Sequence, residues 1–247
     1  MISFVYFHLT GIDSEKFLQG QLTCDTKKLT NAYTPCAICN LKGRVQFGLW
    51  VRRFEEGFVI VLSLDLAEEF KAHIKKYGAF SKISLSDAYF AHPILALDET
   101  LATFETSDMP VVENSDNCIL AGQAWQRVSI EMGNYWITKK ISELFQPQEL
   151  RLHQRGGVDY DKGCYLGQEI VARLYFKASP KAYLHRVAGQ GIAPAAGDSL
   201  GKMIIVNSIQ EADTWQALVV ARPEEITDSE LTILPLPSAL QAPIGRE

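Results

Sequence analysis

The sequence lacks the short motifs that mark several large enzyme classes. It contains no Gly-x-x-x-x-Gly-Lys phosphate loop, no Gly-x-Gly-x-x-Gly dinucleotide fingerprint and no Gly-x-Ser-x-Gly nucleophile turn. No apolar run approaches the roughly 18 residues that a transmembrane helix needs. These absences exclude the common nucleotide-binding and serine-hydrolase motifs and predict that no segment spans a membrane.

Positive charge is also scarce. The 24 lysines and arginines are outnumbered by 29 aspartates and glutamates, which gives a net charge of −5. Because general nucleic-acid binding needs a basic surface, we expect none here. The five cysteines are an odd number, and the apolar start of the chain lacks a basic segment and a cleavage signal. Both features predict free thiols in the cytoplasm, where thiols stay reduced.

Metal-ligand clusters are missing as well. Cys36 and Cys39 form a Cys-x-x-Cys pair, but a zinc site needs four ligands and the sequence offers no second pair. The five histidines are scattered along the chain. We therefore predict no metal site and interpret the two cysteines as buried thiols in a strand.

What is present predicts a mixed α+β chain with a sizeable core, since 47% of the 247 residues are hydrophobic. Residues 32–53 alternate as a hairpin around the turn Asn40–Gly43, and 58–64 read as a third strand. Asp65, with Glu68 three residues on, predicts a capped helix that ends at Gly78.

The second half of the chain changes character at Pro180. Before it, residues 98–117 read as a loop, 118–123 as a short strand, and 124–132 as a helix, although the end of that run also fits a strand. After Pro180, strand-like runs at 183–189, 199–208 and 215–222 predict a small all-β unit. We place the domain boundary there, giving domains 1–180 and 181–247.

Residues Asp161–Glu169 are the most unusual stretch. The pattern predicts a glycine-rich loop that becomes a helix near Leu166 to Gln168. Cys164 precedes that helix start and lies two residues from Lys162, and both features favour the reactive thiolate. The structural alternative is a small buried hydrophobic residue, which is the commoner role of cysteine.

Trp125 and Glu131 form a second candidate pair. A flat heterocycle such as a pterin needs an aromatic wall and a carboxylate that accepts from its paired N–H groups. The alternative is that Trp125 belongs to the core and Glu131 to the solvated surface. Pattern alone favours this alternative, because aromatics at helical spacing are usually core residues.

The octet Lys162–Glu169, which reads K-G-C-Y-L-G-Q-E, resembles the signature of the YgfZ family. These are folate-binding proteins related to the aminomethyltransferase (T-protein) of the glycine cleavage system. Further segments resemble the family in the same order along the chain: 13–23, 39–44, 75–82, 125–133 and 201–220.

This resemblance implies a T-protein-like α+β folate-binding domain around a central channel, followed by a small C-terminal β-barrel. It implies tetrahydrofolate or a one-carbon-substituted folate as cofactor. The implied role is support of the assembly or repair of iron–sulfur enzymes, including one that thiomethylates tRNA. Client proteins would be transient partners. We expect a monomer that does not contact tRNA directly.

The resemblance also assigns roles to residues. Cys164 would be the functional thiol, supported by Lys162 and Tyr165, while Trp125 and Glu131 would contact folate beside an aromatic wall at Phe4. The folate-binding side of the motif would comprise Gly163, Gly167, Gln168 and Glu169. The related T-proteins have no cysteine in this motif, so their transfer chemistry does not carry over directly. Two other functions stay open: a folate-dependent aminomethyl-type transferase and a non-catalytic folate-sensing module.

Overall fold

The computed structural model describes residues 3–95, 102–105 and 116–244. Strands and helices are mixed along the chain and form two antiparallel sheets, so the predicted α+β class is confirmed. The strands are β1 (Phe4–Thr10), β2 (Thr34–Cys39), β3 (Val45–Phe54), β4 (Gly57–Ser63), β5 (Ser84–Leu85), β6 (Tyr89–Leu95), β7 (Ala102–Glu105), β8 (Tyr183–Gln190), β9 (Ser199–Leu200), β10 (Met203–Glu211), β11 (Thr214–Ala221) and β12 (Thr232–Leu234). The helices are α1 (Ser14–Gln19), α2 (Ala67–Tyr77), α3 (Asp116–Glu131), α4 (Gln168–Phe176) and α5 (Pro223–Thr227).

The first sheet has the strand order β2-β3-β4-β1-β6-β7, and β5 pairs with the end of β1. The predicted hairpin is confirmed as β2 and β3, which pair from Thr34 opposite Val51 onward. Its turn is held by the Asn40 side-chain oxygen, which accepts from the N–H of Lys42 at 2.9 Å and of Arg44 at 3.1 Å. Gly43 adopts a φ of +68°, a conformation that glycine reaches at little cost.

The central strands of this sheet are covered on both faces. Phe4, Val5, Tyr6 and Phe7 are consecutive in β1, and each exposes 2% of its surface or less. Such a strand has no polar face, so its sequence shows a continuous apolar run instead of a clear alternation.

Helix α2 begins differently from the prediction. A short 3₁₀ turn, Leu64–Leu66, precedes it, and no side chain caps its first turn. The Asp65 carboxylate accepts instead from the backbone N–H of Lys139 at 2.9 Å. The predicted capping pair of Asp65 and Glu68 is therefore wrong, because Asp65 has a tertiary partner that its neighbours in sequence do not reveal. Gly78 ends the helix as predicted.

Residues 118–123 are helical and not a strand. Helix α3 runs unbroken from Asp116 to Glu131, so the predicted strand is the beginning of the helix that Trp125 occupies. A short apolar run is compatible with either structure, and periodicity over six residues does not separate them. The predicted loop at 98–117 is wrong where the structure describes it, because Ala102–Glu105 forms β7 and α3 begins at Asp116; its other residues lie outside the described ones.

The C-terminal sheet has the order β12-β8-β11-β10-β9. Alternate residues of its central strand β11 enter two different cores: Leu218 and Val220 join the large core of the first sheet, whereas Ala217 and Val219 join a smaller core beneath α5. The strand pairings among the described residues leave this sheet open, so closure into a barrel is not confirmed. The boundary between 180 and 181 separates the two sheets in sequence and stays a prediction as a domain boundary.

In the described part of the chain, no helix is both long and apolar enough to cross a membrane.

Candidate functional site

The loop of residues 161–167, which we call the motif loop, precedes α4 and packs on the first hairpin, β2 and β3. Gly167, the residue before α4, has a φ of +80°, and a Cβ at this position would lie 2.4 Å from the carbonyl oxygen of Asn40. The loop therefore packs directly on the β2–β3 turn and needs glycine there. Helix α4 begins at Gln168, as predicted, and Gln168 Oε1 accepts from the Tyr165 N–H at 3.3 Å.

Gly163 has a different environment. A Cβ at this position would meet no heavy atom within 4 Å in the described structure, so local packing does not require glycine. Cys164 follows it and is exposed, in contrast to the other three cysteines whose side chains are described: Cys24, Cys36 and Cys39. Glu169, in the first turn of α4, is also exposed. The structure thus presents the motif thiol to solvent, against the alternative of a buried hydrophobic role.

Lys162 points away from the exposed thiol. It is 7% exposed, and its ammonium donates to three carbonyl oxygens, those of Gln19 at 2.8 Å, Leu22 at 2.6 Å and Cys24 at 2.9 Å. Burial lowers the Lys162 pKa, and the nearby thiols of Cys24 and Cys36 act in the opposite direction. The expected pairing of this ammonium with Cys164 is therefore corrected: Lys162 ties the motif loop to the segment after α1.

Tyr165 also faces inward. It is 7% exposed, and its ring lies 4.9 Å from the Lys162 ammonium. Burial raises the pKa of its hydroxyl, so the phenol stays protonated. Lys162 and Tyr165 consequently support the loop from beneath, while Cys164 projects from its outer side.

The predicted folate residues Phe4 and Trp125 meet in an aromatic cluster. Their ring centroids are 5.1 Å apart, and both side chains are almost fully buried. Trp50 and Phe104 pack on the same two rings, and Trp136 lies 5.5 Å from Trp125. The cluster is therefore part of the core, as the structural alternative for Trp125 expected.

Glu131 is separated from these rings. Its carboxylate lies 3.6 Å from the Arg186 guanidinium of β8 and its side chain is 40% exposed. Six helical residues turn a side chain through about 240°, so Trp125 and Glu131 project from different faces of α3. The predicted aromatic wall and its carboxylate are thus not brought together on one surface.

A cavity opens where the aromatic cluster reaches the surface. We call it the Tyr33 pocket; its volume is about 200 Å³. Its lining includes the apolar side chains of Tyr33, Trp50 and Met132 and the polar side chains of Asn134, Gln154 and Arg155. The Tyr33 hydroxyl is buried and has no hydrogen-bond partner in the part of the chain that the structure describes.

The cation of this pocket is held in place by its neighbours. The Arg155 guanidinium donates to the Asn134 side-chain oxygen and lies 5.3 Å from the Tyr135 ring. Burial lowers its pKa, but an arginine stays charged at neutral pH. Sequence reasoning missed Tyr33, Trp50 and Arg155 as site residues. The only local signal was that Trp50 alternates with the aliphatic residues of the second predicted strand of the hairpin.

Comparison with known proteins gives a consistent result. No family model matches the chain. The tRNA-modifying protein YgfZ of Yersinia enterocolitica is 28% identical, and the alignment covers 94% of this chain and 89% of that protein. The YgfZ protein of Escherichia coli is 29% identical, with 78% of this chain and 72% of that protein covered.

The chain is similar to the YgfZ proteins over most of its length. The Yersinia alignment spans 296 positions, more than the 247 residues of this chain, so that YgfZ protein carries insertions relative to it. The crystal structure of the glycine cleavage system aminomethyltransferase T from Bartonella henselae matches with a TM-score of 0.62 at 14% identity, covering 89% of this chain and 76% of that one. The YgfZ resemblance and the T-protein-like fold are therefore confirmed. The roles of individual residues stay predictions.

Proposed function

We propose that this chain binds a reduced folate in the Tyr33 pocket and serves the tRNA-modifying process named in its YgfZ relatives. The observation that carries the proposal is the pocket itself, which is lined by aromatic and by polar side chains. The relatives that align over most of the chain, and the fold shared with an aminomethyltransferase, support it independently.

The residues of the pocket fit the chemistry of a folate. Tyr33 and Trp50 offer flat apolar surfaces to a pterin ring, and the Tyr33 hydroxyl, which has no hydrogen-bond partner among the described residues, is available to its aminopyrimidine edge. Arg155 matches the carboxylates of the glutamate tail. A volume of about 200 Å³ suits the ring system, with the tail extending outward. When bound, a reduced folate supplies a carrier for a one-carbon unit.

The residues first assigned to folate receive supporting roles in this proposal. Phe4 and Trp125 are buried behind Trp50, so they fix the position of the aromatic wall. Gly167 and Gln168 shape the motif loop. Glu131 lies on Arg186 and would contact a ligand only outside the Tyr33 pocket.

The exposed thiol carries the second half of the proposal. Cys164 is exposed and is therefore accessible to another macromolecule. We propose that it acts on iron–sulfur client proteins during transient contact in the cytoplasm. A reducing compartment keeps such a surface thiol available.

A folate-dependent aminomethyl-type transferase is the second candidate, and the shared fold favours it. The described lining of the Tyr33 pocket contains amides and a guanidinium but no carboxylate to accept a proton. We therefore rank it below the accessory role. Turnover of tetrahydrofolate with an aminomethyl donor would reverse this order.

The test is calorimetric titration of tetrahydrofolate, under anaerobic conditions, into wild type and three variants. We expect Trp50→Ala and Arg155→Ala to weaken binding about tenfold or more, the equivalent of about 1.4 kcal/mol. Glu131→Ala should change affinity by less than about twofold. Thermal melting of each variant checks that the fold is intact.

The outcomes separate the two candidate sites. If Glu131→Ala weakens binding and Arg155→Ala does not, folate binds where the sequence first placed it and the Tyr33 pocket is wrong. If folded wild type takes up no tetrahydrofolate, the folate proposal fails altogether.

A further inference from the structure

A pair of cysteines unrelated to the motif thiol lies beneath the motif loop. Leu22 forms an antiparallel bridge with Ile38, and the Thr23 N–H donates to the Ala37 carbonyl at 2.9 Å. These contacts bring Cys24, the residue after Thr23, next to Cys36, the residue before Ala37. The Ala37 N–H also donates to the Thr23 hydroxyl at 3.0 Å, so the two segments are joined directly beside the two cysteines.

This neighbourhood suits a disulfide. Facing residues of paired antiparallel strands have Cα atoms about 4.5 to 5.5 Å apart, which lies within the disulfide range of about 4.4 to 6.8 Å. The two thiols are close enough to interact, since the Cys36 side chain is the largest cause that lowers the pKa of Cys24. Both side chains are buried, at 3% and 2% exposure, so neither has to leave the core to meet the other.

The surroundings distinguish the two sulfurs. The Lys162 ammonium is fixed on the Cys24 carbonyl at 2.9 Å. The hydrogen bond from Cys36, together with the charge of Lys162, lowers the pKa of Cys24 against the effect of burial. Burial raises the pKa of Cys36, which keeps its proton. Cys24 is therefore the nucleophile of the pair and Cys36 the second thiol.

Cys39 provides an internal contrast. It lies three residues after Cys36 in the same strand and is equally buried, but a bulge between Ile38 and Cys39 shifts its register. Burial raises its pKa to about 12. Sequence spacing groups Cys36 with Cys39, whereas the fold groups Cys36 with Cys24.

We propose that Cys24 and Cys36 are a modification site that closes to an intrachain disulfide on exposure to a small hydroperoxide. The Cys24 thiolate attacks one peroxide oxygen, the O–O bond breaks, and hydroxide leaves, which gives a sulfenic acid on Cys24. The Cys36 sulfur then attacks the Cys24 sulfur; an S–S bond forms, the S–O bond breaks, and water leaves with the Cys36 proton. The two thiols lose two electrons, and the hydroperoxide is reduced.

The experiment uses the full chain with Cys164→Ser, so that the exposed thiol does not consume the oxidant. The protein is treated with hydrogen peroxide, alkylated after unfolding, digested with trypsin and analysed by mass spectrometry. Cleavage after lysine places Cys24 in the peptide 17–27 and both Cys36 and Cys39 in the peptide 29–42. We expect these two peptides to be joined and to separate on treatment with dithiothreitol.

Two matched variants show whether Cys36 or Cys39 forms the disulfide with Cys24. Cys39→Ala should retain the joined peptides, whereas Cys36→Ala should lose them and leave a Cys24 sulfenic acid that dimedone traps. Alanine is chosen because it replaces a buried thiol without adding a polar group. Melting temperatures confirm that both variants are folded.

The proposal is overturned if Cys24 and Cys36 stay fully alkylatable at peroxide doses that oxidise Cys164 of the wild type to completion. It is also overturned if the joined peptides disappear in Cys39→Ala and persist in Cys36→Ala, since Cys24 would then pair with the wrong cysteine.

Discussion

The side-chain amide of Asn207 binds both polar groups of the Trp136 backbone. Its Oδ1 accepts from the Trp136 N–H at 2.9 Å, and its Nδ2 donates to the Trp136 carbonyl at 3.0 Å. Asn207 is 1% exposed and follows a register shift in β10. This one side chain thus joins the C-terminal sheet to the segment that follows α3.

Replacing the Asn207 side chain tests how much its two hydrogen bonds to Trp136 stabilise the protein. Asn207→Leu leaves a buried N–H and a buried carbonyl without partners, so we expect the free energy of unfolding to fall by about 2 to 4 kcal/mol. Urea denaturation gives the value, and the exposed Asn31→Ala serves as control. A loss below about 0.5 kcal/mol, the usual scale of a surface substitution, would contradict the role.

Two glycines of the motif should respond differently to alanine. Gly167→Ala forces a side chain into the left-handed region and against the Asn40 carbonyl, so we expect a loss of about 1 to 3 kcal/mol. Gly163→Ala places its methyl group in open space and should change stability by about 0.5 kcal/mol or less. The two melting curves are compared directly. Equal losses would show that the loop does not rest on the hairpin as described.

The exposed motif thiol should be needed for function but not for folding. Cys164→Ser alters one solvent-facing atom, so its stability should match the wild type within about 0.5 kcal/mol. In a strain whose own YgfZ protein has been deleted, we expect Cys164→Ser to reach normal abundance but not to restore the lost function. The exposed Ser179→Ala, in the loop after α4, is the control. Full rescue by Cys164→Ser would end the proposed thiol role.

Acid should destabilise the protein through two partly buried histidines, His153 and His185. Burial lowers the pKa of His153 and of His185 to about 4, and the nearby charge of Arg151 acts in the same direction. Between about pH 6.5, the ordinary value, and pH 4, the unfolded chain therefore binds more protons than the folded one. The stability that the neutral rings contribute is complete above this window and is lost as the pH falls through it.

The measurement is the melting temperature from pH 7 to pH 4. A double variant, His153→Gln with His185→Gln, should lose less of its melting temperature across this range than the wild type, whatever its starting stability. An unchanged slope in the double variant would assign the acid sensitivity to other groups.

Local signals explain what the sequence predicted well. The β2–β3 turn depends on the side-chain oxygen of Asn40 and the positive φ of Gly43, and both preferences belong to residues inside the turn. The start of α4 could be predicted for the same reason. The first half of α3 could not, because an apolar run of six residues fits a strand as well as a helix.

The site was harder to predict because its contacts are distant in sequence. Lys162 was expected to serve Cys164, two residues away, but its carbonyl partners lie 138 to 143 residues away. The Tyr33 pocket likewise brings residues of the β2–β3 hairpin together with Asn134 and Arg155, which lie much later in the chain. No pattern within a window of the sequence contains either arrangement.

The divided burial of β11 has a consequence for the accuracy of folding. Sliding this strand by one residue would exchange the side chains of its two faces, sending Leu218 and Val220 into the small core and Ala217 and Val219 into the large one. Each face would then meet a core packed around other side chains, so a misaligned strand is penalised at both surfaces at once. The two cores of unequal size therefore favour a single register of β11 in the C-terminal sheet.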